Sequence, residues 1–169
     1  DRKITMFSII IGAGEGGRSL SRVLGDTVID KHDEKDVVSK DPMAKVTTDA
    51  IHVCFPYSAE FESEVKRYQA IYNPRVTVIH STVPPGTSRR CEALHSPVIG
   101  MHPNLADSIV TFTKFIGGEG SAEIADEFRR KGMRVYLFDK QETTELMKIL
   151  DTTFYGVCVE YTKDVKRIA

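Results

Sequence analysis

The stretch Ser8-Ile9-Ile10-Ile11-Gly12-Ala13-Gly14-Glu15-Gly16-Gly17 constrains the fold of this 169-residue chain more than any other segment. The residues from Ile4 to Ile11 form a short, nearly continuous apolar run. Such a run predicts a strand buried on both faces, and a strand of that kind belongs in a parallel sheet covered by helices. The glycines then turn the chain into a helix expected over about 16–24. Their roles are distinct. Gly12 allows the tight turn, Gly14 lets an anionic ligand approach the backbone, and Gly17 lets helix and strand pack closely.

The rest of the chain keeps the same alternation. A brief strand is expected at 27–29, a charged loop at 31–49, and a buried strand at 50–55 that Pro56 ends. A helix over 59–72 carries Phe61, Val65, Tyr68, Ile71 and Tyr72 at helical spacing and stops at Asn73-Pro74. Strands follow at 76–79, 98–101, 112–116 and 134–138, with helices at 88–94, 122–131 and 142–167. Alternation of this kind predicts an α/β chain: a Rossmann-type, doubly wound, mostly parallel sheet followed by a long C-terminal helix. Residues 1–140 are expected to be the nucleotide-binding domain. In 141–169, Leu146, Ile149, Leu150, Phe154, Val157 and Tyr161 make an apolar stripe too long for one small domain to bury. That helix is expected to dimerise with a second copy, giving a homodimer, or to open a further domain.

Bulk composition removes several function classes. With 41% hydrophobic and 28% charged residues and a formal net charge of −1, nothing predicts a nucleic-acid or membrane-surface partner. No apolar stretch approaches the ~20 residues of a membrane span. Cys54, Cys91 and Cys158 are scattered without CxxC spacing, which predicts reduced thiols and no metal site. With no secretory signal at its N-terminus, the chain is expected in the cytoplasm.

The Gly12–Gly17 pattern between strand and helix is the arrangement that binds the pyrophosphate of a dinucleotide, with the anion on N–H groups of Glu15 and Gly16 at the helix N-terminus. The acidic residue expected to hold the adenosine ribose is Asp30, 18 positions after Gly12. A carboxylate there repels a 2′-phosphate and favours NAD over NADP, although Lys31 and His32 follow it.

From Ala50 onward three motifs occur in order: Asp49-Ala50-Ile51-His52-Val53-Cys54-Phe55-Pro56, then Val78-Ile79-His80-Ser81-Thr82-Val83-Pro84-Pro85-Gly86-Thr87, then Thr143-Thr144-Glu145-Leu146-Met147-Lys148. Together they cover most of the chain, and they resemble the N-terminal domain of UDP-glucose/GDP-mannose dehydrogenases, within the 6-phosphogluconate dehydrogenase-like superfamily. The Ser-Thr-Val-Pro-Pro-Gly string is the specific one. The resemblance implies NAD lying over Gly12, Ala13, Gly14, Glu15, Gly16 and Gly17, across Phe55, Pro56 and Tyr57, and up to Ser81, Thr82 and Val83. It implies a small-molecule substrate, such as a nucleotide sugar, and it places Lys148 at the reacting alcohol, where a cation stabilises developing negative charge.

Three positions depart from that family's pattern. Thr152 stands where an asparagine joins the catalytic site, and His102-Pro103-Asn104 aligns with Asn-Pro-Glu, so Asn104 replaces a carboxylate with an amide. The family's nucleophilic cysteine belongs to a later domain, and Cys158 inside the long helix is no match for it. One hydride transfer is therefore implied, not a complete four-electron oxidation. His102-Pro103 also resembles the pair in prephenate-type dehydrogenases of the same superfamily, which offers a hydroxy-acid or prephenate-like substrate as an alternative. Asn104 and Thr152 leave open a third reading, an NAD-binding module without catalysis.

Overall fold

The computed structural model describes residues 6–25, the backbone of 27–29, and residues 48–101 and 103–168. Seven strands lie in the order β2-β1-β3-β4-β5-β6-β7. They are β1 (Ser8–Ile11), β2 (Thr27–Ile29), β3 (Ala50–Val53), β4 (Val76–Ile79), β5 (Leu94–His95), β6 (Lys114–Gly117) and β7 (Val135–Phe138). The helices are α1 (Glu15–Leu24), α2 (Phe61–Tyr72), α3 (Thr87–Arg90), α4 (Leu105–Thr111), α5 (Ala122–Arg130) and α6 (Gln141–Ile168). Strands β1 to β5 pair in parallel, whereas β6 runs antiparallel to β5 and parallel to β7. This is the Rossmann-type, doubly wound, mostly parallel sheet with a long terminal helix.

The continuous apolar run of β1 divides between two cores because successive strand side chains point to opposite faces. Ile9 and Ile11 join Ile51, Val53, Phe61, Val65 and Ile79 on the side of α2. Ile10 joins Leu20, Val78, Ile109, Ile116, Ile124 and Phe128 on the side of α1, α4 and α5. The winding direction reverses at β1, whose neighbours are β2 on one side and β3 on the other. The crevice of an open α/β sheet lies at such a switch point, beyond the C-terminal ends of the strands. Here it falls between Gly12 and Cys54.

The middle of the chain departs from the sequence expectations. The helix expected over 88–94 is only α3, four residues long; Glu92 follows with φ 51, and the chain then enters the two-residue β5. Residues 98–101, expected as a strand, pair with nothing in the sheet. Pro97 has no N–H to give a ladder, and the side chain of Lys114 takes the carbonyls of Ser96 and Pro97 at 2.9 and 2.8 Å. Helix α4, absent from the sequence expectations, is set by Leu105, Ser108 and Ile109, buried at i, i+3 and i+4. Strand β6 begins at Lys114, two residues later than expected.

Helix α6 docks through its first turns only. Thr144 and Glu145 are fully buried. The Glu145 carboxyl accepts the N–H groups of Gly86 at 2.5 Å and Ser88 at 2.7 Å, so it caps α3, which has no side-chain cap of its own. The Thr144 hydroxyl lies 2.8 Å from His95 Nδ1. Farther along, Leu150, Phe154, Val157, Tyr161 and Ile168 are exposed.

Replacing Glu145 with alanine strands two backbone donors in a dry site, and we expect a loss of about 2–4 kcal/mol. Urea denaturation of E145A measures it; a loss under ~0.5 kcal/mol would show that the clamp is dispensable.

Candidate functional site

The glycine turn follows β1 directly. Gly12 has φ +108, and a Cβ there would lie 2.8 Å from the Phe55 nitrogen. A Cβ on Gly17 would lie 1.9 Å from the Gly12 carbonyl oxygen, so the close packing of α1 on β1 depends on its absence. Gly14 is different: it has φ −66, and a Cβ there would meet nothing within 4 Å. Neither its backbone conformation nor packing among the described residues requires glycine at that position. It is the N-cap of α1, no side chain caps the helix, and the helix N-terminus faces the crevice. Ala13 is partly buried and Glu15 is exposed. Asp30 and His102 lie outside the described residues.

Opposite this turn, the ends of β3 and β4 are tied together. Ser81 Oγ donates to the Phe55 carbonyl at 2.5 Å. The Phe55 ring is turned inward against Phe61, with ring centroids 5.0 Å apart, while Pro56 and Tyr57 are exposed. Thr82 is exposed and Val83 buried in the core on the α2 side.

Gly16, Cys54, His80, Thr82, Val98, Gly100, Leu105 and Lys148 line one cleft of about 210 Å³. Lys148, three residues beyond the buried Glu145, is thereby brought from the far end of the sequence to the N-terminus of α1. Its ammonium is 4.0 Å from the Asp151 carboxylate, and its side chain is 20% exposed. Such a loose and partly solvated pair leaves the cation available to a ligand. Thr152 and Asn104, the other two proposed catalytic positions among the described residues, are not in that lining. The Thr152 hydroxyl donates to the Lys148 carbonyl at 2.9 Å, and Asn104 is the exposed N-cap of α4. A wider, polar groove of about 530 Å³ lies at the opposite ends of the strands, where Val76 and Leu94 begin β4 and β5. Strand-end geometry favours the smaller cleft as the site.

Behind the cleft is a polar chain that no sequence motif announces. His80 Nδ1 is 2.6 Å from the Ser96 carbonyl, so Nδ1 carries the proton and donates. His80 Nε2 then accepts from His52 Nδ1 at 3.0 Å, which leaves His52 Nε2 as a buried lone pair without a partner among the described residues. Burial holds His52 at a pKa of about 3 and His80 well below its ordinary value, so both are neutral. Lys114 Nζ lies 3.3 Å from His80 Nδ1 while donating to Ser96 and Pro97. Its desolvation lowers its pKa to about 7. Burial also pushes the Cys54 thiol up to about 12, which keeps it protonated and a poor nucleophile. The one signal the sequence holds for this chain is a lysine and two histidines at positions where buried strands carry apolar residues. Among the described residues no group of three His, Cys, Asp or Glu converges as a metal site, and no helix is long and apolar enough to cross a membrane.

The sequence matches no family model and no curated protein. Solved structures do match. UDP-D-ManNAc dehydrogenase from Pyrococcus horikoshii aligns with a TM-score of 0.72 and 17% identity, over 89% of this chain and 51% of that one. GDP-mannose dehydrogenase from Pseudomonas aeruginosa aligns at 0.72 and 13%, over 92% and 51%. A reductive aminase from Aspergillus terreus in complex with NADPH aligns at 0.69 and 14%, over 94% and 64%. The chain thus spans about half the length of the two dehydrogenases. At these identities the shared property is the fold, and at that level the resemblance read from Ser81 to Thr87 holds.

Two stability outcomes follow from this geometry. Gly17→Ala forces a backbone clash and is expected to cost at least about 2 kcal/mol, whereas Gly14→Ala changes stability by less than ~1 kcal/mol. Because the folded pKa of Lys114 is depressed, the unfolded chain binds more protons from about pH 7 up to the ordinary lysine range near 10.5. Stability should therefore rise with pH through that window, by up to about 1.4 kcal/mol per unit, and the rise should vanish in K114M. Denaturant midpoints measured from pH 6.5 to 9.5 test this; an unchanged slope in the variant contradicts it.

Proposed function

We propose that this chain is the nucleotide-binding part of an NAD-dependent oxidoreductase, akin to the nucleotide-sugar 6-dehydrogenases, that removes hydride from a substrate alcohol. The observation that carries this reading is Gly14. Its neighbours Gly12 and Gly17 are required by the turn and by packing, whereas Gly14, like Gly16, would meet nothing within 4 Å among the described residues if it carried a Cβ, which leaves the backbone at the helix N-terminus open to a ligand. A pyrophosphate there fits the uncapped helix and the open space. On this reading Ala13, Glu15 and Gly16 complete the cradle, and Phe55, Pro56, Tyr57, Ser81, Thr82 and Val83 border the path of the dinucleotide. Asp30 selects NAD.

When bound, the nicotinamide supplies the hydride acceptor. Lys148 supplies positive charge where an alkoxide-like oxygen would develop, across the cleft from Gly16. On this reading Asn104, and His102 outside the described residues, orient the substrate. The exposed face of α6, within the segment 141–169 that the sequence sets apart, is the seat of a second copy, giving a homodimer: Leu146, Leu150, Phe154, Val157, Tyr161 and Val165 are each 46–71% exposed along one stripe. The substrate we favour is a nucleotide sugar, consistent with the names of the two dehydrogenases that share the fold. A second reading, a cofactor-binding module without turnover, is favoured by the Thr152 hydroxyl, which is bonded back to its own helix.

Titration with NAD+ and NADP+, followed by a panel of UDP- and GDP-sugars and hydroxy acids, tests the proposal. We expect saturable NAD+ binding, at least roughly tenfold weaker in G14A, and turnover reduced about 10²–10³-fold in K148A. Binding without turnover across the panel supports the second reading, and no nucleotide binding removes both. Sedimentation equilibrium should show a dimer that F154E/Y161E converts to monomer; a wild-type monomer at all concentrations refutes the α6 interface.

A further inference from the structure

Lys114 is 3% exposed, and among the described residues no carboxyl group pairs with it. A buried ammonium without a counter-charge is costly, and here only carbonyl oxygens compensate it. The groups facing it come from every element around it. His52 and Cys54 belong to β3 and its end, His80 to the end of β4, and His95 to β5; Lys148 comes from α6. From α5 the Phe128 ring lies 5.8 Å away, while the buried Glu127 of that helix is engaged with Arg130 and Lys131. Apart from Glu127, whose carboxylate is paired with Arg130 and Lys131, none of these groups adds negative charge, since the histidines are neutral and the Cys54 thiol is protonated.

The position of this lysine relates it directly to the cleft. It holds the carbonyls of Ser96 and Pro97, from which the chain continues to the lining residues Val98 and Gly100. It also lies 3.3 Å from His80, which is itself in the lining. Its charge therefore lies directly behind a side chain that lines the space a ligand would enter.

We infer that Lys114 is a positioning residue whose charge sets the preference of the cleft between the oxidised and reduced forms of a nicotinamide nucleotide. This rests on the nicotinamide reading of the cleft given above. The oxidised ring carries a positive charge and the reduced ring none. A protonated Lys114 behind His80 repels the first and is indifferent to the second; a neutral amine distinguishes them little. By linkage, the oxidised ring drives a proton off Lys114, and the reduced ring lets it return. Because burial brings the lysine into the neutral range, the preference changes across ordinary working pH. No proton need pass to the substrate for this effect, since Lys114 acts by its field and by its hold on the cleft wall.

The test is the dissociation constant of NAD+ and of NADH from pH 6 to 8.5. In the wild-type protein the affinity for NAD+ relative to NADH should rise roughly three- to tenfold with pH. K114M should hold that ratio flat near its high-pH value, and K114R flat near its low-pH value. A wild-type ratio independent of pH, or K114M with the wild-type slope, overturns the inference while leaving nucleotide binding intact. If the variants do not fold, lysine-selective NMR on the wild-type chain decides: the Lys114 midpoint should fall on addition of NAD+ and recover with NADH. A midpoint that NAD+ leaves in place overturns the inference. Failure of both nucleotides to bind overturns the cofactor reading, and this one with it.

Discussion

Glu145 is fully buried, and its two carboxyl oxygens accept the backbone N–H groups of Gly86 and Ser88. That contact joins two segments almost sixty residues apart, and most of the site geometry depends on it. Gly86 begins a helix one turn long that has no cap of its own, so the turn after Pro84-Pro85 takes its shape from α6. In return, α6 is fixed at its first turn. Lys148 follows three residues later on the same helix, and that spacing brings it to the cleft where β4 ends in His80-Ser81-Thr82. Thr144 adds a second strut through His95, whose Nε2 reaches the Ser81 carbonyl at 3.2 Å. The lysine and the opposing turn are thus parts of one braced unit, while the distal turns of the helix have no such support among the described residues.

The second constraint is polar and lies on the other face of the sheet. His52, His80 and Lys114 occupy the core beside Phe128. Burying such groups is expensive unless hydrogen bonds compensate, and here the Ser96 carbonyl accepts from Lys114 and His80, the Pro97 carbonyl from Lys114, and His80 Nε2 from His52. This explains why the chain leaves the sheet after a two-residue β5. The Ser96 N–H still donates to the Ile79 carbonyl, but the carbonyls of Ser96 and Pro97 are engaged by the Lys114 side chain instead of by a neighbouring strand. It also places a titrating cation directly behind the lining of the cleft.

The glycine turn is legible in the sequence because its demands are local. A positive φ at Gly12 and a near-contact at Gly17 follow from a strand that passes straight into a helix, whatever surrounds them. The helix of 142–167 is similarly legible from a sustained apolar stripe, and the fold extends it by one residue at each end. Between residues 88 and 116 local pattern misleads. Val98 to Met101 has the apolar character of a strand, but a strand exists only where a partner offers a ladder, and Lys114 removes that option. Helix α4 is only seven residues long and lacks a side-chain cap, so its pattern is too short to stand out.

The same division applies to the site. From sequence alone come the strand-turn-helix unit, its suitability for a dinucleotide, and Lys148 as a position of interest, all resting on short-range periodicity or on a contiguous string. Tertiary structure decided which charged residues lie inside. Glu145 and Lys114 look like ordinary surface residues of a helix and a strand until α6 docks on the turn before α3 and β6 pairs antiparallel with β5. Burial of a charge is a property of what packs around it, and those neighbours arrive from distant parts of the chain. Tertiary packing likewise separates Gly14, where a Cβ would meet nothing within 4 Å among the described residues, from Gly12 and Gly17, where it would clash.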